Sequence, residues 1–222
     1  MNGTARLVLA TAFIGISAML GSSDAAAQKS ATQIDIAAMP PGHPPPDFTL
    51  WRTGSGAPPE WRVVADPSAA AQQAIAQTST DKTDYRFPLA VYQWISAKDV
   101  DVVVRFKSVA GTVDQAGGIA IRLTSPDDYY VVRANALEDN VRFYRVVKGR
   151  RQDIKGADTK VAGNQWHTLG LRAEGERFTV SFDGKTLFTA EDKTFANAGK
   201  VALWTKADSV THFDTIAITP LD

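Results

Sequence analysis

The sequence predicts an all-β fold, a two-sheet antiparallel sandwich, on three observations. From Tyr85 onward apolar and polar residues alternate with a period of two. The alternating segments are short and separated by tight turn formers, Ser125-Pro126-Asp127-Asp128, Glu174-Gly175-Glu176 and Asp183-Gly184. No helical stretch of about 10–15 residues intervenes between them, which argues against a parallel α/β arrangement. This spacing leaves a sandwich or a barrel, and the alternation points to stacked sheets. Val102, Val104 and Phe106 face one way while Asp101, Arg105 and Lys107 face the other. Phe178, Val180 and Phe182 repeat the pattern against Thr179 and Ser181, so two sheets with one wet face each share an apolar interior.

Taken in order, residues 1–27 read as a cleaved signal peptide. Arg6 supplies the basic region, Leu7 to Leu20 the apolar stretch, and GSSDAAA the small residues before a cleavage site after Ala27. The apolar run is shorter than the ~20 residues that span a bilayer, so no membrane span is expected. No cysteine follows to carry a lipid anchor, and the mature chain is expected to be secreted or periplasmic. Residues 28–46 are polar and then proline-rich; Pro40, Pro41, Pro44, Pro45 and Pro46 impose extended geometry, giving a tether or a strap on the domain that begins at Asp47 and runs to Asp222. The stretch 66–78 (DPSAAAQQAIAQT) is the one candidate helix, with Asp66 as cap, Pro67 in the first turn and alanines and glutamines behind; a surface loop is the alternative. Strands are expected at 89–96, 100–109, 117–124, 129–135, 141–148, 166–173, 177–182 and 200–206, with a last one at 213–219.

Composition narrows the function. A chain of 222 residues with 44% hydrophobic content suits one domain with a substantial core. Lys plus Arg and Asp plus Glu both number 24, so no overall positive field exists to gather nucleic acid, and a neutral partner fits better. The absence of cysteine removes disulfides, thiolate chemistry and cysteine-containing metal sites. His43, His167 and His212 show no ligand spacing, and neither a GxSxG elbow nor a glycine-rich nucleotide loop occurs, so no cofactor is expected. Asp214 is a candidate ligand for a structural calcium ion, although no contiguous set of oxygen ligands accompanies it.

The chemistry concentrates between Asp114 and Arg151. Tyr129, Val131, Arg133 and Asn135 share one strand face; Asn140, Arg142, Tyr144, Val146 and Lys148 share another. If the ALED connection closes a hairpin in the matching register, Arg133, Asn135, Arg142 and Tyr144 form one patch. Planar hydrogen-bonding groups beside an aromatic ring suit a carbohydrate or glycan ligand, whose hydroxyls need donors and acceptors while its C–H face packs on the ring. A solvated face of cross-strand polar pairs is the alternative. Asp114 and Gln115 precede Gly117-Gly118, where backbone can approach a bulky group closely. Trp204 and Lys206 share a face and can form a sugar platform, although a core tryptophan fits the same pattern. Glu138, beside the arginines, is the candidate general acid or base, but the sequence supplies it with no partner of the paired-carboxylate kind.

The segments DVDVVVRFKSVAGTVDQAGGIAIR, DDYYVVRANALEDNVRFYRVVKGRR, QWHTLGLRAEGERFTVSFDGKTLF and GKVALWTKADSVTHFDTIAI resemble the "3-keto-disaccharide hydrolase" domain of exported bacterial proteins over residues 48–218. The resemblance implies a jelly roll of the concanavalin A-like lectin/glucanase type. It also implies a carbohydrate-facing sheet and, in some relatives, cleavage of 3-keto-glycosides by elimination and hydration. That route needs a base and a group that stabilises an enolate. Glu138 or Asp114 is the candidate base here, and Arg133 or Arg142 the candidate cation. Gln115, Asn135, Asn140, Tyr144, Trp204 and Lys206 are the candidate substrate contacts. The paired-carboxylate ExDxxE strand of laminarinase-like relatives is missing, which counts against ordinary glucan hydrolysis. A non-catalytic glycan-binding module and a structural envelope protein remain as alternatives, and the oligomeric state is open.

Overall fold

The computed structural model describes residues 30–221 together with Met1 and Gly3, so most of the expected signal peptide lies outside the described residues. The first strands are β1 (Thr32–Gln33), β2 (Phe48–Gly54), β3 (Trp61–Ala65), β4 (Gln73–Gln77) and β5 (Arg86–Ala97). There follow β6 (Val100–Ala110), β7 (Ala116–Ser125), β8 (Asp128–Asn135), β9 (Asn140–Val147) and β10 (Arg150–Asp158). The chain ends with β11 (Trp166–Glu174), β12 (Arg177–Phe182), β13 (Lys185–Glu191), β14 (Gly199–Trp204) and β15 (Val210–Pro220). One antiparallel sheet has the order β13-β12-β11-β6-β15-β4-β3, with β1 added against β15; the other has the order β10-β9-β8-β7-β14-β5-β2.

The expected alternation fills the space between the sheets. On β6, Val104 lies opposite Leu169 and Ile216, and Val102 opposite Leu171 and Ile218, so apolar residues stack across three strands. Tyr130 and Phe143 of the second sheet meet Phe178 of the first at ring-centroid distances of 4.6 and 4.9 Å. Turn chemistry sets the registers. Asp183 and Gly184 both have positive φ, 47° and 76°, which joins β12 to β13 by a two-residue hairpin. Lys148 and Gly149 do the same for β9 and β10.

The expected helix at 66–78 does not form. Residues 67–72 turn, with Asp66 Oδ1 accepting from the Ser68 N–H, and Gln73–Gln77 become β4 between β3 and β15. Ala74, Ile75 and Ala76 are fully buried there. A strand with neighbours on both sides and a layer beneath gains more from that burial than alanine gains from its helix propensity. The proline-rich leader is a strap: Thr32 and Gln33 pair with β15, while Ile36 and Met39 are buried in the core. Two buried arginines tie distant segments. Arg86 donates to the carbonyls of Ala57, Pro58 and Ala207. Arg122 donates to those of Lys98, Phe195 and Gly175.

Candidate functional site

The second sheet carries two apolar faces. One packs into the core; the other holds Phe87, Leu89, Tyr129, Val131, Tyr144, Val146 and Trp204, all buried. What buries this outer face is the curl of the sheet itself. Thr53 of β2 hydrogen-bonds the Tyr129 hydroxyl of β8 at 2.7 Å, although β5, β14 and β7 lie between those strands. In a flat sheet four inter-strand steps of about 4.8 Å keep them far apart, so the face must be strongly concave. Trp204 Nε1 donates to the same hydroxyl at 3.3 Å, and the Arg151 backbone N–H donates to Tyr85 Oη across the curl.

Polar groups gather at the mouth of this packed curl. The ALED connection closes the hairpin with Asn135 opposite Asn140 and Arg133 opposite Arg142, so these side chains share the concave face with Tyr144. Arg133 is 3% exposed. Its Nη2 donates to Glu138 at 2.7 Å and to the Tyr144 hydroxyl at 3.1 Å, and its Nη1 donates to Asn140 Oδ1. Asp114 forms the floor, accepting from Asn135 and lying 2.7 Å from Lys206 Nζ, which also holds Asp84 at 2.6 Å. Arg142 lies over Gly156, where even a Cβ atom would collide with its side chain, and pairs with Asp158 at 2.7 Å.

Burial and pairing divide the carboxylates. Burial pushes Asp114 above the usual carboxylate range, and the pull of Lys206 and Arg133 only partly opposes it. At Glu138 burial acts in the same direction, but the charge of Arg133 and the hydrogen bonds from Asn140 and Arg133 outweigh it and hold the group low. Lys206 is raised, because Asp114 and Asp84 outweigh its desolvation. Asp208 organises the approach to Asp114: its carboxylate accepts from the N–H groups of Thr112, Val113 and Asp114 and from the Thr112 hydroxyl.

Two residues read as ligand contacts are engaged within the fold. Trp204 is packed, not presented: it has no exposed surface, and its ring lies 5.2 Å from that of Phe87. Gln115, one residue from Asp114 and therefore on the opposite side of an extended chain, donates to the Gly111 carbonyl. Asp214, read as a calcium candidate, pairs with Arg105 at 3.2 Å and accepts from the Ala70 N–H. Among the described residues no three His, Asp or Glu side chains converge as a metal site requires. Conversely, the sequence reading passed over Asp84, Tyr85, Arg151 and Asp158. The Lys148-Gly149 pair, a turn signal followed by RRQDIKGAD, was the available clue to the last two.

Residues 89–221 match the family described as the C-terminal lectin domain of galactocerebrosidase. The chain belongs to this family. Among solved structures, a carbohydrate-binding module from Bacillus subtilis superposes with a TM-score of 0.60 at 19% identity, covering 77% of this chain and 94% of that one. A Bacillus licheniformis beta-glucanase superposes with a TM-score of 0.55 at 13% identity, covering 86% and 98%. A Bacillus subtilis protein of unknown function with a galectin-like fold gives 0.55 at 7% identity, covering 78% and 89%. At these identities the likeness establishes the fold, the two-sheet sandwich of the concanavalin A-like lectin/glucanase type. No curated protein is significantly similar to the chain in sequence.

Proposed function

We propose that this protein is a non-catalytic carbohydrate-binding module that takes a glycan at the polar mouth of the curled sheet. The observation that carries this reading is the mutual neutralisation of the mouth. Glu138 is held by Arg133, Asp114 and Asp84 by Lys206, and Asp158 by Arg142, each pair within 2.7 Å. Glu138 and Asp84, held low by these partners, are poor bases, whereas a fixed lattice of donors and acceptors beside Tyr144 matches the hydroxyls of a sugar. Membership of a lectin-domain family supports the same reading.

Calorimetric titration against a panel of neutral and acidic oligosaccharides is the test. Glu138→Gln and Arg142→Ala, both at the solvent-facing rim, are expected to weaken binding at least tenfold while leaving the melting temperature nearly unchanged. Unchanged affinity in both variants would remove the mouth from consideration.

One observation favours a second reading, cleavage of 3-keto-glycosides. Asp114 is pushed up by burial beside Lys206 and Arg133, as a base facing an enolate-stabilising cation would be. Turnover of 3-keto-trehalose or a 3-keto-glucoside, lost in Asp114→Asn, would establish it; binding of those sugars without release of product supports the module.

We also propose that the protein is exported after removal of residues 1–27. Mass spectrometry of the mature chain is then expected to find Gln28 at its N-terminus, and an intact N-terminus beginning at Met1 in the exported fraction would contradict this.

A further inference from the structure

The mouth of the curled sheet carries four cations, and one of them differs from the rest. Arg133, Arg142 and Lys206 each hold a carboxylate, but among the described residues Arg151 holds none. Its guanidinium carbon lies 4.5 Å from the centroid of Tyr144 and 5.2 Å from that of Phe87, so two rings fix the plane of the group. Its Nη1 is shielded from solvent and has no acceptor; the Nε of the neighbouring Arg133, which lies against the same Tyr144 ring, has none either. Charged donors in such settings are ordinarily satisfied, and exceptions mark places where a further group completes the pattern.

The surroundings add a second observation. Tyr85, whose hydroxyl accepts the Arg151 backbone N–H, is 40% exposed and rests on Phe87 with a ring-centroid distance of 4.7 Å. Asp84, beside it in sequence, is engaged by Lys206. Asp153, the next residue on that face of β10, is exposed and makes no ion pair with Arg151. An exposed ring therefore borders a guanidinium that is oriented, only partly buried and in ion-pair contact with no carboxylate, Asp84 lying within reach of its charge but engaged by Lys206. A planar guanidinium matches a carboxylate through two parallel hydrogen bonds, for which the Nε–Nη2 edge is the side left by the shielded Nη1, and an adjacent ring offers a stacking surface to the C–H face of a sugar.

We propose that Arg151 recognises a carboxylate on the bound glycan, and that the ligand is an acidic oligosaccharide of the uronic-acid kind whose ring stacks on Tyr85. The proposal rests on the glycan-binding reading and makes it more specific. The closing experiment is an array bearing glucuronate-, galacturonate- and sialate-terminated glycans with their neutral counterparts, followed by calorimetry on the strongest pair.

Wild-type protein is expected to prefer an acidic glycan at least tenfold over its neutral counterpart, with the preference falling as NaCl rises from 50 to 300 mM, since salt screens an accessible charge pair. Arg151→Gln is expected to abolish the preference while retaining affinity for the neutral glycan, and Arg151→Lys to recover only part of it, since a point charge lacks the fork. The salt series uses wild-type protein and so does not depend on the variants folding. Neutral glycans bound as well as acidic ones, without salt dependence, would overturn the role of Arg151 and leave the module reading standing. No binding to either class would overturn both.

Discussion

Replacing Trp204 by alanine is expected to destabilise the domain by about 3–5 kcal/mol, the usual range for deleting a buried aromatic side chain. For a domain of this size that corresponds to a fall in melting temperature of about 6–20 °C. The indole has no exposed surface; it packs on Phe87 and donates to Tyr129 inside the curl of the second sheet. Alanine would leave a cavity bounded by strands whose curvature depends on that filling, so the sheet has little freedom to collapse around it. Trp204→Phe, which keeps most of the volume and loses one hydrogen bond, is expected to cost far less. Thermal melting followed by circular dichroism checks both. A Trp204→Ala protein that melts like the parent but no longer binds glycan would restore the tryptophan as a ligand platform.

Asp208→Ala is expected to cost about 3 kcal/mol, because at least three successive backbone donors and a hydroxyl lose one charged acceptor, each orphaned donor being worth about 1–3 kcal/mol when buried and less where water can reach it. The same change should loosen the loop that delivers Asp114 to Lys206, so glycan affinity is expected to fall with stability. Asp208 also sets a pH signature. Burial raises its pKa, but the hydrogen bonds from Thr112, Asp114 and Val113 outweigh burial and leave it lowered. A group with a lowered folded pKa contributes fully above its unfolded value of about 3.9 and loses that contribution as pH falls through the folded value. The stability gap between the parent and Asp208→Ala is therefore expected to be constant from about pH 5 to 8 and to narrow below about pH 4. Urea denaturation at several pH values measures it, and a gap that does not change between pH 6 and pH 3 would rule out this role for the carboxylate.

Strands with one wet face were legible because alternation and turn residues are local properties: β6 and the hairpin at Asp183-Gly184 sit where the period and the glycine place them. β10 was not legible, because it is an edge strand of mostly exposed residues, RRQDIKGAD, with no apolar period to read. β4 was hidden by its alanines, whose preference for helix is overruled only once β3 and β15 flank them. Trp204 was ambiguous for a different reason. Both faces of the second sheet are buried, so alternation there separates one apolar layer from another and does not point to solvent.

What the sequence by itself determined is the strands β5 to β9, β11, β12, β14 and β15, the turns that carry glycine or Ser-Pro-Asp-Asp, and the shared face of Arg133, Asn135, Arg142 and Tyr144, since each follows from a two-residue period and a hairpin register. Only the tertiary structure decided how far the second sheet curls, and with it which side chains are packed and which meet solvent. The pairing of Lys206 with Asp84 and Asp114, the clamp of Asp208 on the Thr112–Asp114 loop and the packing of Arg151 on Phe87 all join residues remote in the chain. Such contacts depend on strand order and curvature, which arise from the packing of the whole sandwich and leave no local periodic trace.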